Sequence, residues 1–148
     1  MLGEHQLGTA TLVSRTSLTA PTTDTLKAAL YLASATMDAS ATVYTATGEV
    51  SGTGYTAGGV TVTNATAPTS TNSSATAGVA FFTPSASLTY TTVTLTTAFD
   101  AVLLYNSTQS NKAISVHTFG SQTITAGTFT LTMPANTTAA ALIRLATT

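Results

Sequence analysis

The chain has 148 residues, of which 43% are hydrophobic and only 6% are charged, and its formal net charge is −1. That length fits one domain that can bury a core, and the mean hydropathy of +0.31 argues against intrinsic disorder. Four Lys or Arg residues are too few to neutralise a run of phosphates or to hold the chain on an anionic membrane, so we expect neither a nucleic-acid partner nor a membrane partner.

Threonine takes the place of the missing charges. It makes up about a quarter of the chain, whereas an ordinary globular domain has about 25% charged residues. Because threonine is β-branched, it favours the half-buried surface of a strand. A sheet covered with hydroxyl groups can stay soluble while copies repel each other only weakly. We therefore expect a surface that is suited to packing against other protein.

The N-terminal residues 1–25 show scattered leucines without a sustained period and end in a Thr/Pro-rich stretch. We predict an extended N-terminal arm, with a short strand at Ala10–Ser14, that needs a partner to hold it in place. The Met1–Gln6 start has no basic region and no apolar segment after it, so we expect no signal peptide. The arm's leucines are the candidate partner-binding residues: Leu2, Leu7, Leu12 and Leu18.

The apolar run Lys27–Ala33 is short and has Ser/Thr-rich flanks, which favours a strand over a helix. Met37–Glu49 is typical of a loop, with an extended piece at Ala41–Thr45. In Gly48–Gly59, five glycines in twelve positions indicate turns with positive φ. Val60–Asn64 alternates with period two and predicts another strand.

The second half of the chain alternates strand signals with turn residues. Ala65–Ala77 predicts a loop rich in Ser, Thr, Asn and Pro, and turns are predicted at 106–111, 120–121, 126–127 and 134–136. The predicted strands are Gly78–Thr83, Leu88–Thr96, Ala98–Tyr105, Ala113–Phe119, Thr128–Met133 and Ala140–Leu145. About eight short strands without a long amphipathic helix predict an all-β chain. We expect an antiparallel β-sandwich, similar to a jelly roll, over residues 26–148, after the extended arm of residues 1–25.

Catalytic and metal-binding patterns are weak in this sequence. His5 and His117 lie more than a hundred positions apart, and the acidic residues are isolated from one another, so neither metal-ligand spacing nor a nucleophile motif is present. Gly52–Gly58 approaches a dinucleotide-binding fingerprint, but a strand signal follows it where the fingerprint needs a helix. We expect His117 to be a surface or interface imidazole. Asp100 is either hydrogen-bonded within its strand or turned to solvent. The chain is predicted to be no enzyme and to bind no cofactor or metal.

Several segments together resemble a known family. They are, in chain order, Ala28–Tyr31, the loop Glu49–Gly59, Leu103–Thr108, Asn111–Ala113, Phe119-Gly120, Gly127–Leu131 and the closing Ala141–Leu145. Their order and spacing resembles a family of small virion structural proteins of tailed bacteriophages, over Lys27 to Ala146. Family members carry acidic residues and often Trp around Ala80–Thr91, where this chain has Phe81-Phe82-Thr83-Pro84. The resemblance implies a virion component without enzymatic activity.

From this resemblance we expect a capsid decoration, or cement, protein that binds across neighbouring capsomers and stabilises the head. Its partners would be the major capsid protein and copies of itself, as a homotrimer by analogy with other decoration proteins. Its place would be the capsid surface of the virion, after synthesis in the host cytoplasm. The alternatives are a head–tail junction or tail component and, from another class, a carbohydrate-binding or adhesion module. That module would stack glycans on Tyr44, Tyr55, Tyr90 or Tyr105.

Overall fold

A computed structural model describes residues 24–63, 69–70 and 78–146 of the chain. The strands are β1 (Leu26–Leu32), β2 (Val60–Thr61), β3 (Thr69–Ser70), β4 (Val79–Phe82), β5 (Leu88–Asn106), β6 (Lys112–Leu131) and β7 (Ile143–Ala146). Their pairings are all antiparallel, and these residues include no helix. The prediction of an all-β chain with antiparallel sheets is confirmed.

The described residues form two compact units. One unit, Thr25–Val62 with Leu88–Leu131, contains a four-stranded sheet in the order β2-β1-β5-β6. The other contains the described parts of Thr63–Ser87 and Thr132–Thr148 and a three-stranded sheet in the order β3-β4-β7. The predicted strand Ala10–Ser14 and the four candidate leucines lie outside the described residues. The division into an arm of residues 1–25 and one domain of residues 26–148 stays a prediction.

In the smaller unit, the predicted strand Gly78–Thr83 appears as β4. Ala140–Leu145 was predicted as a strand, but β7 begins later, at Ile143. Within the predicted loop Ala65–Ala77, residues 69–70 form the short strand β3. The buried hydroxyl of Thr83 accepts a hydrogen bond from the backbone N–H of Leu142 at 2.9 Å. This bond fixes the chain just before β7.

The larger unit is built on a hairpin of two unusually long strands, and here the prediction of short strands is wrong. β5 has 19 residues and β6 has 20, although each was predicted as two separate strands. The predicted turns at 120–121 and 126–127 are irregularities in the register of β6 against β5, between the pairs at Thr118 and Gln122 and between those at Ile124 and Gly127. Extra residues on one strand of an antiparallel pair bend it without reversing it.

The bulges fold the hairpin back on itself. The hydroxyl of Tyr90, near the start of β5, donates a hydrogen bond to the carbonyl of Ala28 at 2.8 Å, and Ala28 pairs with Leu104, near the end of β5. A straight strand would put about 46 Å between residues 90 and 104. The two halves of β5 therefore face each other, and the side chains that lie in the space between the two halves form the core.

The core of this unit surrounds β1, whose residues 28–31 are fully buried. Because successive side chains on a strand point to opposite faces, β1 contributes to apolar layers on both sides of the sheet. On one face, Ala29 and Tyr31 join Ala101, Leu103 and Tyr105 in a single buried cluster. In the other half of the hairpin, Phe99 meets Phe129 edge-to-face at 5.0 Å, a geometry that favours the contact beyond its buried area.

Candidate functional site

The side chain of Glu49 is the centre of the most connected polar site in the larger unit. Its Oε1 accepts hydrogen bonds from the hydroxyl of Tyr55 and from the backbone N–H of Gly58, both at 2.7 Å. Its Oε2 accepts a third, from the hydroxyl of Tyr44, also at 2.7 Å. Hydrogen bonds to an ionised carboxylate are shorter and stronger than neutral ones. Glu49 therefore ties three points of the segment 44–58 together.

All five tyrosines of the chain lie in this unit and surround the Glu49 site. Tyr44 stacks on Tyr105 with ring centres 4.7 Å apart, and Tyr55 stacks on Tyr90 at 5.9 Å. The hydroxyl of Tyr105 donates to the carbonyl of Gly58 at 2.8 Å, and Tyr31 donates to the carbonyl of Thr45. Every ring but that of Tyr31 is thus held by both its face and its hydroxyl group.

The tyrosines of this cluster stay protonated well into the alkaline range. Burial raises the pKa of Tyr31 to about 12. Burial first, and then the hydrogen bond to Glu49, raise the pKa of Tyr44 and of Tyr55, while burial and the Glu49 charge raise that of Tyr105. The site therefore consists of neutral hydroxyl donors around one acceptor. That arrangement suits fastening of the chain more than proton transfer.

The glycine-rich segment lies along the free edge of β1 and closes it. The backbone N–H of Val50 donates to the carbonyl of Leu30 at 3.0 Å, and the N–H of Leu30 donates to the hydroxyl of Tyr55 at 3.0 Å. Gly59 has a φ of +72°, and a Cβ there would lie 1.7 Å from the carbonyl oxygen of Ala28. Only glycine allows so close an approach between the segment and the strand. The strand β2 then begins directly at residue 60, so the glycines open no helix.

The opposite edge of the same sheet is formed by β6, the last strand in the order. A short piece of the loop after β1 covers only its beginning: Val43 bridges to Lys112, and the N–H of Ala113 donates to the carbonyl of Thr42 at 3.0 Å. Among the described residues, the rest of β6 pairs with β5 alone. As far as the described residues go, the larger unit therefore has one closed edge and one long open edge.

The exposed surface of the hairpin is made of threonine to an unusual degree. Every exposed residue of β5 is a threonine: Thr89, Thr91, Thr92, Thr96 and Thr97. The exposed residues of β6 after Lys112 are Thr, Ser, Gln, Gly and Ala, and residues 113–131 contain no charged side chain. The hairpin thus presents hydroxyl groups and no charge over most of its length.

The remaining ionisable residues that the sequence singled out do not converge. His117 is half-buried with its Nε2 3.0 Å from the Ser115 hydroxyl oxygen, and burial lowers its pKa. Asp100 is partly exposed between the buried Phe99 and Ala101, where the register of β5 shifts. Within residues 24–63, 69–70 and 78–146, no three His, Asp or Glu side chains lie close enough together to hold a metal ion.

Sequence reasoning found the Glu49–Gly59 segment as a recognisable pattern but missed the connections of its glutamate. The available signal was an isolated acid flanked by Tyr44 and Tyr55, in a stretch that otherwise lacks charge.

Comparison of the chain with protein-family models, curated proteins and solved structures gives no match. The described residues form no helix of the length and apolarity that crossing a membrane requires.

Proposed function

We propose that this chain is a structural protein of a tailed-bacteriophage virion: a capsid decoration protein that binds across capsomers and stabilises the head. The observation that carries the proposal is the long β5–β6 hairpin, whose exposed side chains are mostly hydroxyl-bearing or small and, apart from Lys112, uncharged. The resemblance of Lys27 to Ala146 to small virion proteins agrees with it. The bent hairpin supports the finer expectation of a two-layer sandwich or jelly roll.

An uncharged hydroxyl surface favours adhesion to protein for a physical reason. Burying a charge costs several kcal/mol unless it is paired, whereas a hydroxyl needs only a hydrogen-bond partner. A stable contact of the usual size buries about 1,600 Å² in total. When many copies bind across neighbouring subunits, their contacts act together and strengthen the shell. The major capsid protein and further copies of the chain are the proposed partners.

The ionisable residues support a role without catalysis. Both carboxylate oxygens of Glu49 are already engaged by three donors, and its tyrosine neighbours are held neutral by burial. A general base needs a free acceptor within reach of the substrate proton. The cluster instead fastens the segment that closes the β1 edge, so the hairpin keeps its bent shape.

The N-terminal arm is the proposed tether to a neighbouring capsid subunit, with Leu2, Leu7, Leu12 and Leu18 as its anchors. Deleting residues 1–20 should weaken attachment to heads while the β-sheet signal in circular dichroism is kept. Attachment at full strength after this deletion would remove the arm from the proposal.

The proposal is tested on phage heads from a strain that lacks the gene. Purified chain is added to these heads, bound protein is measured by co-sedimentation, and survival of the heads on heating is compared with and without it. We expect saturable binding and a higher temperature of head rupture. No binding to heads, or binding without any change in rupture temperature, would contradict a decoration role. Binding confined to one vertex would favour the head–tail junction.

A cleft in the larger unit favours a second candidate, a carbohydrate-binding module. The cleft has a volume of about 330 Å³, and its lining includes Lys27, the half-buried Tyr55 and threonines such as Thr61 and Thr89. Two of the other tyrosines considered for this role are less available, because Tyr90 and Tyr105 are 3% and 2% exposed. Tyr44 is half-buried like Tyr55, but it does not line this cleft. A glycan array probed with the wild-type chain and with Lys27→Met tests it.

A further inference from the structure

The open edge of β6 differs from the edges that natural sheets usually show. Exposed edge strands are ordinarily short or carry lysine, proline or a covering loop, because unpaired N–H and C=O groups invite pairing with another chain. β6 has 20 residues, and from residue 113 to 131 it contains no charged residue and no proline. Among the described residues, backbone pairing at this edge is confined to its start, at the bridge from Val43 to Lys112 and the bond from Ala113 to Thr42. The loop residues 38, 39 and 41 line a cavity with residues 113–116 of β6.

The hydrogen bonds of the sheet show which backbone groups of β6 turn outward. The N–H of Ser107 donates to the carbonyl of Thr25, so Ser107 directs its backbone groups toward β1. Because this direction alternates from one residue to the next along an antiparallel ladder, the odd-numbered residues of this part of β5 face β1 and the even-numbered residues face β6. Val102 therefore directs its backbone groups toward β6, where it pairs with His117.

The residues on either side of His117 consequently direct their backbone groups away from β5. These are Val116 and Thr118, which pair with Leu103 and Ala101 in the regular part of the ladder. Ala113 supports this assignment independently, because its N–H turns away from β5 and reaches the carbonyl of Thr42. The stretch 116–118 thus offers two N–H and two C=O groups in extended geometry.

We propose that two copies of the chain pair antiparallel through their β6 edges, about a two-fold axis at His117. Val116 of one copy then exchanges two hydrogen bonds with Thr118 of the other, and the symmetry repeats the pair. The two His117 residues become directly opposite in a non-hydrogen-bonded pair, with Cα atoms about 4.5 Å apart. With the axis at 117, the two outward-facing residues, Val116 and Thr118, pair with each other. With the axis at 116, Thr118 would have to pair with residue 114, where the ladder is irregular. With the axis at 118, Val116 would have to pair with Gly120.

A second copy fits this edge better than a head-to-tail contact. In a head-to-tail arrangement β6 would need a different free edge of the same sheet, but the edge of β1 is closed by the segment Gly48–Gly59 and β2 has only two residues. In a two-fold contact, both copies contribute the same surface, so the edge of β6 pairs with the edge of β6 in the other copy. No like charges meet across it, since His117 is neutral at pH 7 and the flanking residues are uncharged. The contact gives a dimer, in place of the trimer expected by analogy.

This inference names a partner for the same uncharged surface on which the proposed function rests, yet it can fail separately. Sedimentation velocity of the full chain over a range of concentrations is compared with Thr118→Pro, which removes one outward N–H, and Thr118→Ala, which keeps it. We expect dimers for the wild type and Thr118→Ala, and at least a tenfold weaker dimer for Thr118→Pro with unchanged circular dichroism. A monomeric wild type, a trimer, or a dimer indifferent to Thr118→Pro would overturn the pairing.

A single-thiol experiment keeps the inference testable if Thr118→Pro fails to fold. The chain contains no cysteine, so His117→Cys carries one thiol, and a non-hydrogen-bonded antiparallel pair has Cα separations within the range of a disulfide. Mild oxidation should yield a covalent dimer for His117→Cys and much less for Gly120→Cys as the matched control. Equal yields at both positions would contradict an axis at 117. Monomers that still bind phage heads would overturn the pairing alone, whereas dimers that do not bind would overturn the proposed function alone.

Discussion

Replacing Glu49 with alanine is the sharpest perturbation of the tyrosine cluster. The substitution removes the acceptor of three hydrogen bonds at once, those from Tyr44, Tyr55 and the N–H of Gly58, each 2.7 Å long. A donor left without a partner costs about 1–3 kcal/mol when it is buried. Because Glu49 and the two tyrosines are only half-buried, water can reach part of the site, and we take the lower end of that range for each donor.

The expected loss for Glu49→Ala is therefore about 3 kcal/mol of the free energy of unfolding. For a chain of this size, such a loss lowers the melting temperature by roughly 6–12 °C. Glu49→Gln should cost less, about 1 kcal/mol, because the amide oxygen still accepts a hydrogen bond and the Tyr44 hydroxyl can turn to accept one from the amide nitrogen.

Urea unfolding followed by circular dichroism measures both losses, with Asp38→Ala as the matched control. Asp38 is also a carboxylate that accepts two hydrogen bonds, but both come from Ser40, two residues away in an exposed turn. Its removal should therefore change stability very little. If Glu49→Ala were no more destabilising than Asp38→Ala, the Glu49 cluster would not be what fastens the glycine-rich segment.

Three further outcomes follow from the larger unit. In urea unfolding, Gly59→Ala should lower the free energy of unfolding by more than about 2 kcal/mol, because φ is positive at this residue and the new Cβ meets the Ala28 carbonyl. The control Gly120→Ala should be as stable as the wild type, because a Cβ there has open space around it. In absorbance titration, Tyr31 and its neighbours should ionise well above pH 10. Because their pKa is raised on folding, their contribution to stability should be fully present below about pH 10 and should be lost as the pH rises towards about 12. The pKa of His117 is lowered on folding, so its contribution to stability should be present above about pH 6.5 and lost as the pH falls, and His117→Gln should flatten that loss.

Much of the fold could be predicted from local patterns. The run Lys27–Ala33 correctly indicated β1, and the strand signal in 78–83 correctly indicated β4. Threonine-rich sequence with few charges correctly indicated exposed strands. In each case the pattern reports a local preference that the sheet then satisfies.

The errors in predicting β6 arose because glycine and serine are typical both of turns and of β-bulges. Gly120 and Ser121 have the composition of a turn, but in β6 they fall at an irregularity that bends a continuous strand. Composition alone does not separate a bulge from a chain reversal, since both need small residues. The full Glu49 cluster could not be predicted from the segment alone, because Tyr90 and Tyr105 are distant in sequence. Tyr105 comes near through the pairing of β5 with β1, and Tyr90 through the bend of the hairpin.

The central claim, that this uncharged hairpin serves a virion shell, is tested most directly by the amount of the chain in purified phage particles. Quantitative mass spectrometry gives its copy number relative to the major capsid protein. We expect on the order of hundreds of copies per particle, as the repeated symmetry of a head surface requires. A dozen copies or fewer would place it at the junction or tail, and its absence from particles would contradict the claim.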